Sequence, residues 1–173
     1  MSERLLLMGV SGSGKSTLGP MLARALSLPF ADADDFHPPA NIAKMRAGTP
    51  LTDEDRWPWL AALGAWLAAQ PAGGVVACSA LRRAYRERLR EAVPGLRLLF
   101  LHGDPALIAA RQSARPGHFM PPGLMASQFA TLEPPGPEEG AILLDIREPP
   151  EALLRGALAG LRGPAPAAGE GRG

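Results

Sequence analysis

Gly9-Val10-Ser11-Gly12-Ser13-Gly14-Lys15-Ser16-Thr17 has the spacing G-x-x-x-x-G-K-[ST], the pattern of a phosphate-binding P-loop. The apolar run Leu5-Leu6-Leu7-Met8 precedes it, as a buried parallel strand would. Leu18, Met21, Leu22, Ala25 and Leu26 follow it at helical spacing. Strand, glycine loop and helix are the setting the chemistry needs. Glycines let backbone N–H groups converge on phosphate oxygens, and the helix N-terminus adds the positive end of its dipole. Gly9 to Thr17 would therefore hold a nucleoside triphosphate, with Lys15 neutralising the β- and γ-phosphates and the Ser16 hydroxyl ligating Mg²⁺. The alternative is a glycine-rich turn that binds nothing.

Outward from this loop, the chain alternates strands and helices. Pro29 turns into a short second strand at Phe30-Ala31, followed by the acidic stretch Asp32-Ala33-Asp34-Asp35-Phe36-His37. Asn41 is positioned to cap a short helix that Gly48 and Pro50 end. Thr52 followed by Asp53-Glu54-Asp55 predicts another helix start, with Trp57, Leu60, Leu63 and Leu67 along one side. Val75 to Cys78 reads as a third strand, and Ser79 as the cap of a helix from Leu81 to Ala92 whose arginines 82, 83, 86, 88 and 90 form a mostly solvated face. Leu96 to Leu101 is a fourth strand, and Asp104-Pro105 opens a helix to about Ala114. The Pro/Gly-punctuated segment Arg115 to Pro122 predicts a mobile loop, followed by a helix from about Gly123 to Leu132. Ala141 to Asp145 is a fifth strand and a last helix runs to Leu161. Pro20, early in the first helix, predicts a slight kink there.

This alternation predicts an α/β P-loop NTPase fold: a five-stranded parallel sheet with helices on both faces and a mobile lid at about 111–131. Residues 1–162 would form one domain, with a disordered tail over 163–173. Ligands in such sheets bind at the carboxyl ends of the strands. The loop, the Asp32–His37 stretch, Cys78-Ser79, His102-Gly103 and Asp145-Ile146-Arg147 should therefore converge.

The 173 residues are 46% hydrophobic and 20% charged, with a net charge of +1. That is a globular composition, without the basic excess of a nucleic-acid binder. Of the 18 basic residues only Lys15 and Lys44 are lysines, and one of them stands where a phosphate loop needs a compact charge. Cys78 is the only cysteine, which excludes an intramolecular disulfide and a multi-cysteine zinc site. No run is long enough for a membrane span and Met1 to Arg4 carry no signal-peptide pattern, so a cytoplasmic location is expected.

The remaining question is where the γ-phosphate goes. Asn-Lys-x-Asp, the guanine-reading pattern, is absent, which argues against a GTPase. A kinase needs a carboxylate to take the acceptor's proton. Asp34 is the candidate base, with turn chemistry as its alternative, and Asp32 a candidate Mg²⁺ ligand, directly or through water. Arg111 and Arg115 suit a lid that closes over the nucleotide. Arg82 and Arg83 could reach an anionic acceptor, and Arg56 could bind a carboxylate bidentately. The three tryptophans read as packing.

Asp32-x-Asp34-Asp35-Phe36-His37-Pro38, Asn41-Ile42-x-Lys44-Met45, and Gly48-x-Pro50-Leu51-x-Asp53-x-Asp55-Arg56-x-Pro58-Trp59-Leu60 together resemble the gluconokinase signature. Cys78-Ser79-Ala80-Leu81-Arg82-Arg83-x-Tyr85-Arg86, Arg115-x-Gly117-His118-Phe119 and Gln128-Phe129-x-Thr131-Leu132-Glu133 are similar to the same family. The resemblance runs in order from about Leu5 to Leu161. It implies a nucleoside-monophosphate-kinase-like fold, often dimeric, that moves the ATP γ-phosphate to the 6-hydroxyl of D-gluconate. It implies a gluconate pocket of Asp34, His37, Arg56, Ser79, Arg82, Arg83 and His118. Arg111, Arg115 and the loop with Arg147 would lie by ATP. A shikimate-kinase-like enzyme and a non-catalytic ATP-binding module remain as alternatives.

Overall fold

The computed structural model describes residues 3–113 and 122–163. Its elements are β1 (Glu3–Met8), α1 (Lys15–Leu26), β2 (Phe30–Asp32), α2 (Pro39–Arg46), α3 (Asp53–Ala68), β3 (Gly73–Ala77), α4 (Arg83–Ala92), β4 (Arg97–His102), α5 (Pro105–Ser113), α6 (Pro122–Thr131), β5 (Ile142–Asp145) and α7 (Pro150–Leu161). Short 3₁₀ turns occupy Ala33–Phe36 and Pro137–Glu139. Arg115, His118 and the tail from residue 164 lie outside the described residues, as do residues 114–121 of the segment expected to form the lid.

All strand pairs are parallel, in the order β2-β3-β1-β4-β5. The five-stranded sheet flanked by helices is the architecture that the alternation implied. Strand pleating sends alternate side chains to opposite faces, and two separate cores result. Leu5, Leu7, Val75, Leu99, Leu101 and Leu144 meet Leu18, Leu22 and Ala23 of α1 and Leu153 and Ala157 of α7. Leu6, Met8, Val76, Cys78, Leu98 and Phe100 meet Leu60, Leu63 and Leu67 of α3 and Tyr85 and Leu89 of α4. Truncating a fully buried leucine such as Leu22 to alanine in a core of this kind costs about 2–5 kcal/mol. β1 is thus central, and the chain leaves it towards β2 on one side and returns for β4 on the other. A crevice at the carboxyl end of the sheet follows from that reversal.

The helix ends differ from the sequence expectation at two places. Pro38, not Asn41, is the N-cap of α2, because Pro38-Pro39 fixes the backbone for a helix start; Asn41 is buried one turn in. Ser79 does not cap α4, which begins at Arg83 after an irregular stretch in which Ala80 adopts φ 45°. Thr52 does cap α3: its Oγ accepts the Asp55 N–H at 3.2 Å while an Asp55 carboxylate oxygen accepts the Thr52 N–H at 2.9 Å. The helix assignment of α1 continues through Pro20, whose nitrogen has no hydrogen to give the Ser16 carbonyl.

Candidate active site

The phosphate loop is shaped by glycine. Gly9 has φ 150°, and a Cβ there would lie 2.6 Å from the Leu101 carbonyl oxygen. Gly14 has φ 103° and opens α1 with no side chain to cap it. The N-terminus of α1 stands at the crevice wall with Gly14, Lys15 and Ser16, the arrangement that receives anions. Lys15 Nζ donates to the Gly9 and Val10 carbonyls at 2.7 and 2.9 Å. Its ammonium is withdrawn among those carbonyls while the residue stays half-buried at the cavity wall. Burial pushes it down to about 8, against the pull of nearby carboxylates including Asp34 and Asp32. The Ser13 hydroxyl is buried with no hydrogen-bond partner among the described residues.

A cavity of about 310 Å³ begins at this loop. Ser11, Gly12, Gly14, Lys15 and Ser16 form one wall, and Asp32, Asp34, Trp59, Cys78 and Ser79 face them. The Asp32 carboxylate accepts the Asp34 N–H at 2.9 Å, which starts the 3₁₀ turn and turns Asp34 over the cavity. The Asp34 carboxyl is raised from its ordinary value by loss of water around it and by Asp32, with His37 and Lys15 opposing. Burial likewise raises the Cys78 thiol to about 12, so it is neutral and inert at neutral pH.

Trp59, expected only to pack, lines the cavity and is fixed by its indole N–H to the Ala33 carbonyl at 2.6 Å. His37 stacks on it with ring centroids 4.3 Å apart and planes 14° apart. Arg56 lies one helical turn from Trp59; Arg56 and Arg82 each come within 3.8 Å of the Asp53 carboxylate. Asp53 also accepts the Tyr85 hydroxyl at 2.6 Å, and the Arg56 guanidinium lies 5.5 Å from the Tyr85 ring centroid. Arg83 turns away from this group, into ion pairs with Glu87 and Glu138.

A second cavity of about 370 Å³ opens on the other side of the same loop. Gly12 to Gly14, Thr17 and Leu18 line it with Arg111, Glu148, Pro150 and Leu153. Arg147 is not in that lining; both oxygens of Asp145 hold its guanidinium. The expected strand-end segments therefore divide around the loop: Asp32–Asp34 and Ser79 on one side, Arg111 and the turn after β5 on the other. His102-Gly103 packs against Ile146 and lines neither cavity.

The basic face of α4 corrects the sequence reading. Arg86 is fully buried, and its guanidinium grips both oxygens of buried Glu139 at 2.8 and 3.0 Å. It also donates to the carbonyls of Ala80 and Leu81 at 2.9 and 3.3 Å, and Arg90 joins Glu139 at 2.7 Å. The irregular Ser79–Arg82 stretch is thus held open beside the cavity, and the Ser79 carbonyl accepts the Gly9 N–H at 3.3 Å. The arginines at 82, 83, 86, 88 and 90 look alike in sequence, and the burial of Arg86 depends on the distant Glu139 and on the Ala80 and Leu81 carbonyls. Gln128 is a second contact that spacing could not supply: its side-chain oxygen accepts the Ser11 N–H at 2.6 Å across 117 residues.

A parallel sheet in this order, with a phosphate loop at its centre and a carboxylate-bearing cavity beside it, defines a P-loop kinase of the shikimate-kinase type; the family model described as Shikimate kinase matches residues 11–122. The chain belongs to the gluconokinase family. It is 46% identical over 155 residues to a gluconokinase from Gluconobacter oxydans (strain 621H), covering 87% of this chain and 86% of that protein. A crystal structure of a gluconokinase from Sinorhizobium meliloti 1021 superposes with a TM-score of 0.86 at 50% identity, over 92% of this chain and 91% of the other. A shikimate kinase from Bacteroides thetaiotaomicron shares the fold at a TM-score of 0.64 and 17% identity, over 92% of this chain and 98% of its own.

Proposed function

We propose that the protein transfers the γ-phosphate of ATP to the 6-hydroxyl of D-gluconate, giving 6-phospho-D-gluconate and ADP. The observation that carries this reading is the single cavity in which Lys15 and Ser16 face Asp32, Asp34, Ser79 and Trp59. Its family membership supports the choice of acceptor. Phosphoryl transfer asks a protein mainly for positioning and for charge stabilisation. Burial loosens the hold of Lys15 on its proton, and that hold is restored when triphosphate oxygens replace the Gly9 and Val10 carbonyls as partners of its ammonium. Asp34 accepts the proton as the acceptor oxygen bonds to phosphorus and the bond to the ADP oxygen breaks. Its raised pKa makes it a better base than an ordinary aspartate.

The α1 N-terminus at the cavity wall and the unpartnered Ser13 hydroxyl fit phosphate oxygens, and the Arg111 cavity fits the nucleoside portion. The Ser16 hydroxyl and the Asp32 carboxylate share the first cavity, a donor pair that suits Mg²⁺, which takes few protein oxygens beside phosphate and water. When bound, the ion would neutralise charge on the transferring group. On the acceptor side, Arg56 and Arg82 suit the single carboxylate of a sugar acid, and His37 and Ser79 its hydroxyls. A coupled ADP-release assay with gluconate, shikimate, AMP and water as acceptors tests the reading. Gluconate-dependent release is expected. Turnover that ignores gluconate, or none with any acceptor, sinks it, and release with shikimate alone moves the chain to the alternative acceptor.

A further inference from the structure

We propose that Asn41 is a positioning residue that holds His37 as a neutral ring with its proton on Nε2, so that the acceptor pocket meets a hydrogen-bond donor and not a base. Asn41 is 3% exposed, in the first turn of α2. Its side-chain nitrogen lies 2.9 Å from the main-chain carbonyl oxygen of Asp55. A carbonyl can only accept, so the NH₂ end of the amide must face it; the reverse orientation would set two oxygens against each other. The same nitrogen lies 3.2 Å from His37 Nδ1. An amide nitrogen has hydrogens to give and no capacity to accept. Nδ1 must therefore be the acceptor, carrying no proton. A neutral imidazole with bare Nδ1 carries its hydrogen on Nε2, and an imidazolium could form only by breaking the Asn41 contact.

The ring has little freedom to evade this arrangement. Trp59 covers one face in a near-parallel stack and is itself fastened to Ala33. Asp55, whose carbonyl orients Asn41, is locked in turn by the Thr52 capping box and by Lys44 at 2.6 Å. The charged groups that act on His37 are Asp34, from the turn after β2, and Arg56, from α3. Burial is the largest influence and lowers the ring's affinity for a proton; Asp34 raises it and Arg56 lowers it further, leaving it below the ordinary value. Electrostatics and hydrogen bonding therefore agree on the neutral form.

Nε2 has no hydrogen-bond partner among the described residues. A sugar acid offers carboxylate and hydroxyl oxygens that can accept from it. Because the free nitrogen already carries hydrogen, His37 cannot take the acceptor's proton, and that task falls to Asp34. This division of labour rests on the proposed phosphoryl transfer; the tautomer does not.

The test is a long-range ¹H–¹⁵N correlation spectrum of the ¹⁵N-labelled full chain. It holds only three histidines, and the His37 signals are identified by their loss in His37→Gln. The expected pattern at pH 7.5 is a protonated Nε2 and a bare Nδ1, with a titration below the ordinary histidine value. Asn41→Leu should leave a mixture of tautomers and raise the acceptor KM about tenfold, the effect of losing one positioned hydrogen bond, with the ATP KM unchanged. A wild-type ring protonated on Nδ1, or charged at pH 7.5, overturns the proposal whether or not the variant folds. An unchanged tautomer in folded Asn41→Leu also overturns it. Loss of gluconate dependence with the Nε2–H pattern intact would instead remove the acceptor assignment and uphold the tautomer.

Discussion

The two walls of the cavity are built by different means. The phosphate wall is nine consecutive residues whose useful groups are mostly backbone N–H, shaped by glycines and one lysine. The acceptor wall is side chains drawn from β2, the turn after it, α3 and the β3–α4 connection, held by contacts in and behind it: Trp59 to the Ala33 carbonyl, Asn41 to that of Asp55, Arg86 to those of Ala80 and Leu81. A backbone-made wall survives as a short contiguous pattern. A side-chain wall needs its scaffold, and its specificity is only as good as the parts that hold it. Damage to the first should therefore abolish chemistry with any acceptor. Damage to the second should shift stability or acceptor binding.

The largest effect is expected from Lys15→Ala. Turnover should fall on the order of a thousandfold or more, as when a preorganised charge partner is removed from a transferring group. The fold should persist, because Lys15 bonds only to its own loop. Initial rates and a thermal melt check both halves; a variant that retains turnover refutes the role of the lysine. Asp34→Asn comes next, with kcat down about a hundredfold through loss of the base and the ATP KM little changed. Equal losses in kcat and ATP affinity would move Asp34 to the phosphate wall and blur the distinction between the two.

Arg86→Met probes the scaffold of the acceptor wall. Removing Arg86 leaves buried Glu139 with Arg90 as its remaining cationic partner, at about 3 kcal/mol of stability, which urea titration would read. Met at position 86 together with Glu139→Leu should recover most of it. The pH dependence has a definite sign. Burial would raise the Glu139 carboxyl, but hydrogen bonds from Arg86 and Arg90 and their charges overcome burial and hold it at about 2, against an ordinary 4.5. A depressed carboxyl contributes stability that is fully present above its unfolded value and is lost as pH falls through its folded one. The gap between wild type and Arg86→Met should therefore be full at pH 7 and narrow from about pH 4.5 towards 2. A gap independent of pH would mean that Arg86 acts through packing alone.

The contrast between the walls also explains what could be read from the sequence. The sheet was legible because Leu5–Met8, Val75–Ala77 and Arg97–Leu101 announce buried parallel strands, and the loop because its chemistry is local. Asp32, Asp34 and Ser79 were placed by their position at strand ends. The misread residues depend on distant partners. Asn41 looks like a cap until the Asp55 carbonyl is seen beside it, and Arg86 looks solvated until Glu139 arrives from 53 residues away. Trp59 gives no local sign that its indole faces a cavity. Arg83 pairs with Glu87 one helical turn on and with Glu138 from 55 residues away, and Arg147 with neighbouring Asp145.

The smallest effect should come from a residue of the expected lid that reaches the phosphate wall. Gln128, on α6, accepts the Ser11 N–H through its side-chain oxygen at 2.6 Å. If the phosphate wall is as self-sufficient as its contiguous sequence implies, Gln128 only steadies the loop. Gln128→Ala should then lower kcat/KM for ATP about fivefold, the scale of one net hydrogen bond, and leave the acceptor KM unchanged. Glu at the same position keeps an acceptor oxygen but adds a negative charge beside the triphosphate. It should preserve loop order and still weaken ATP binding, more so at low ionic strength. A loss near that of Lys15→Ala from Gln128→Ala would show that the phosphate wall, too, depends on a remote partner, and the comparison between a local and an assembled wall would fail.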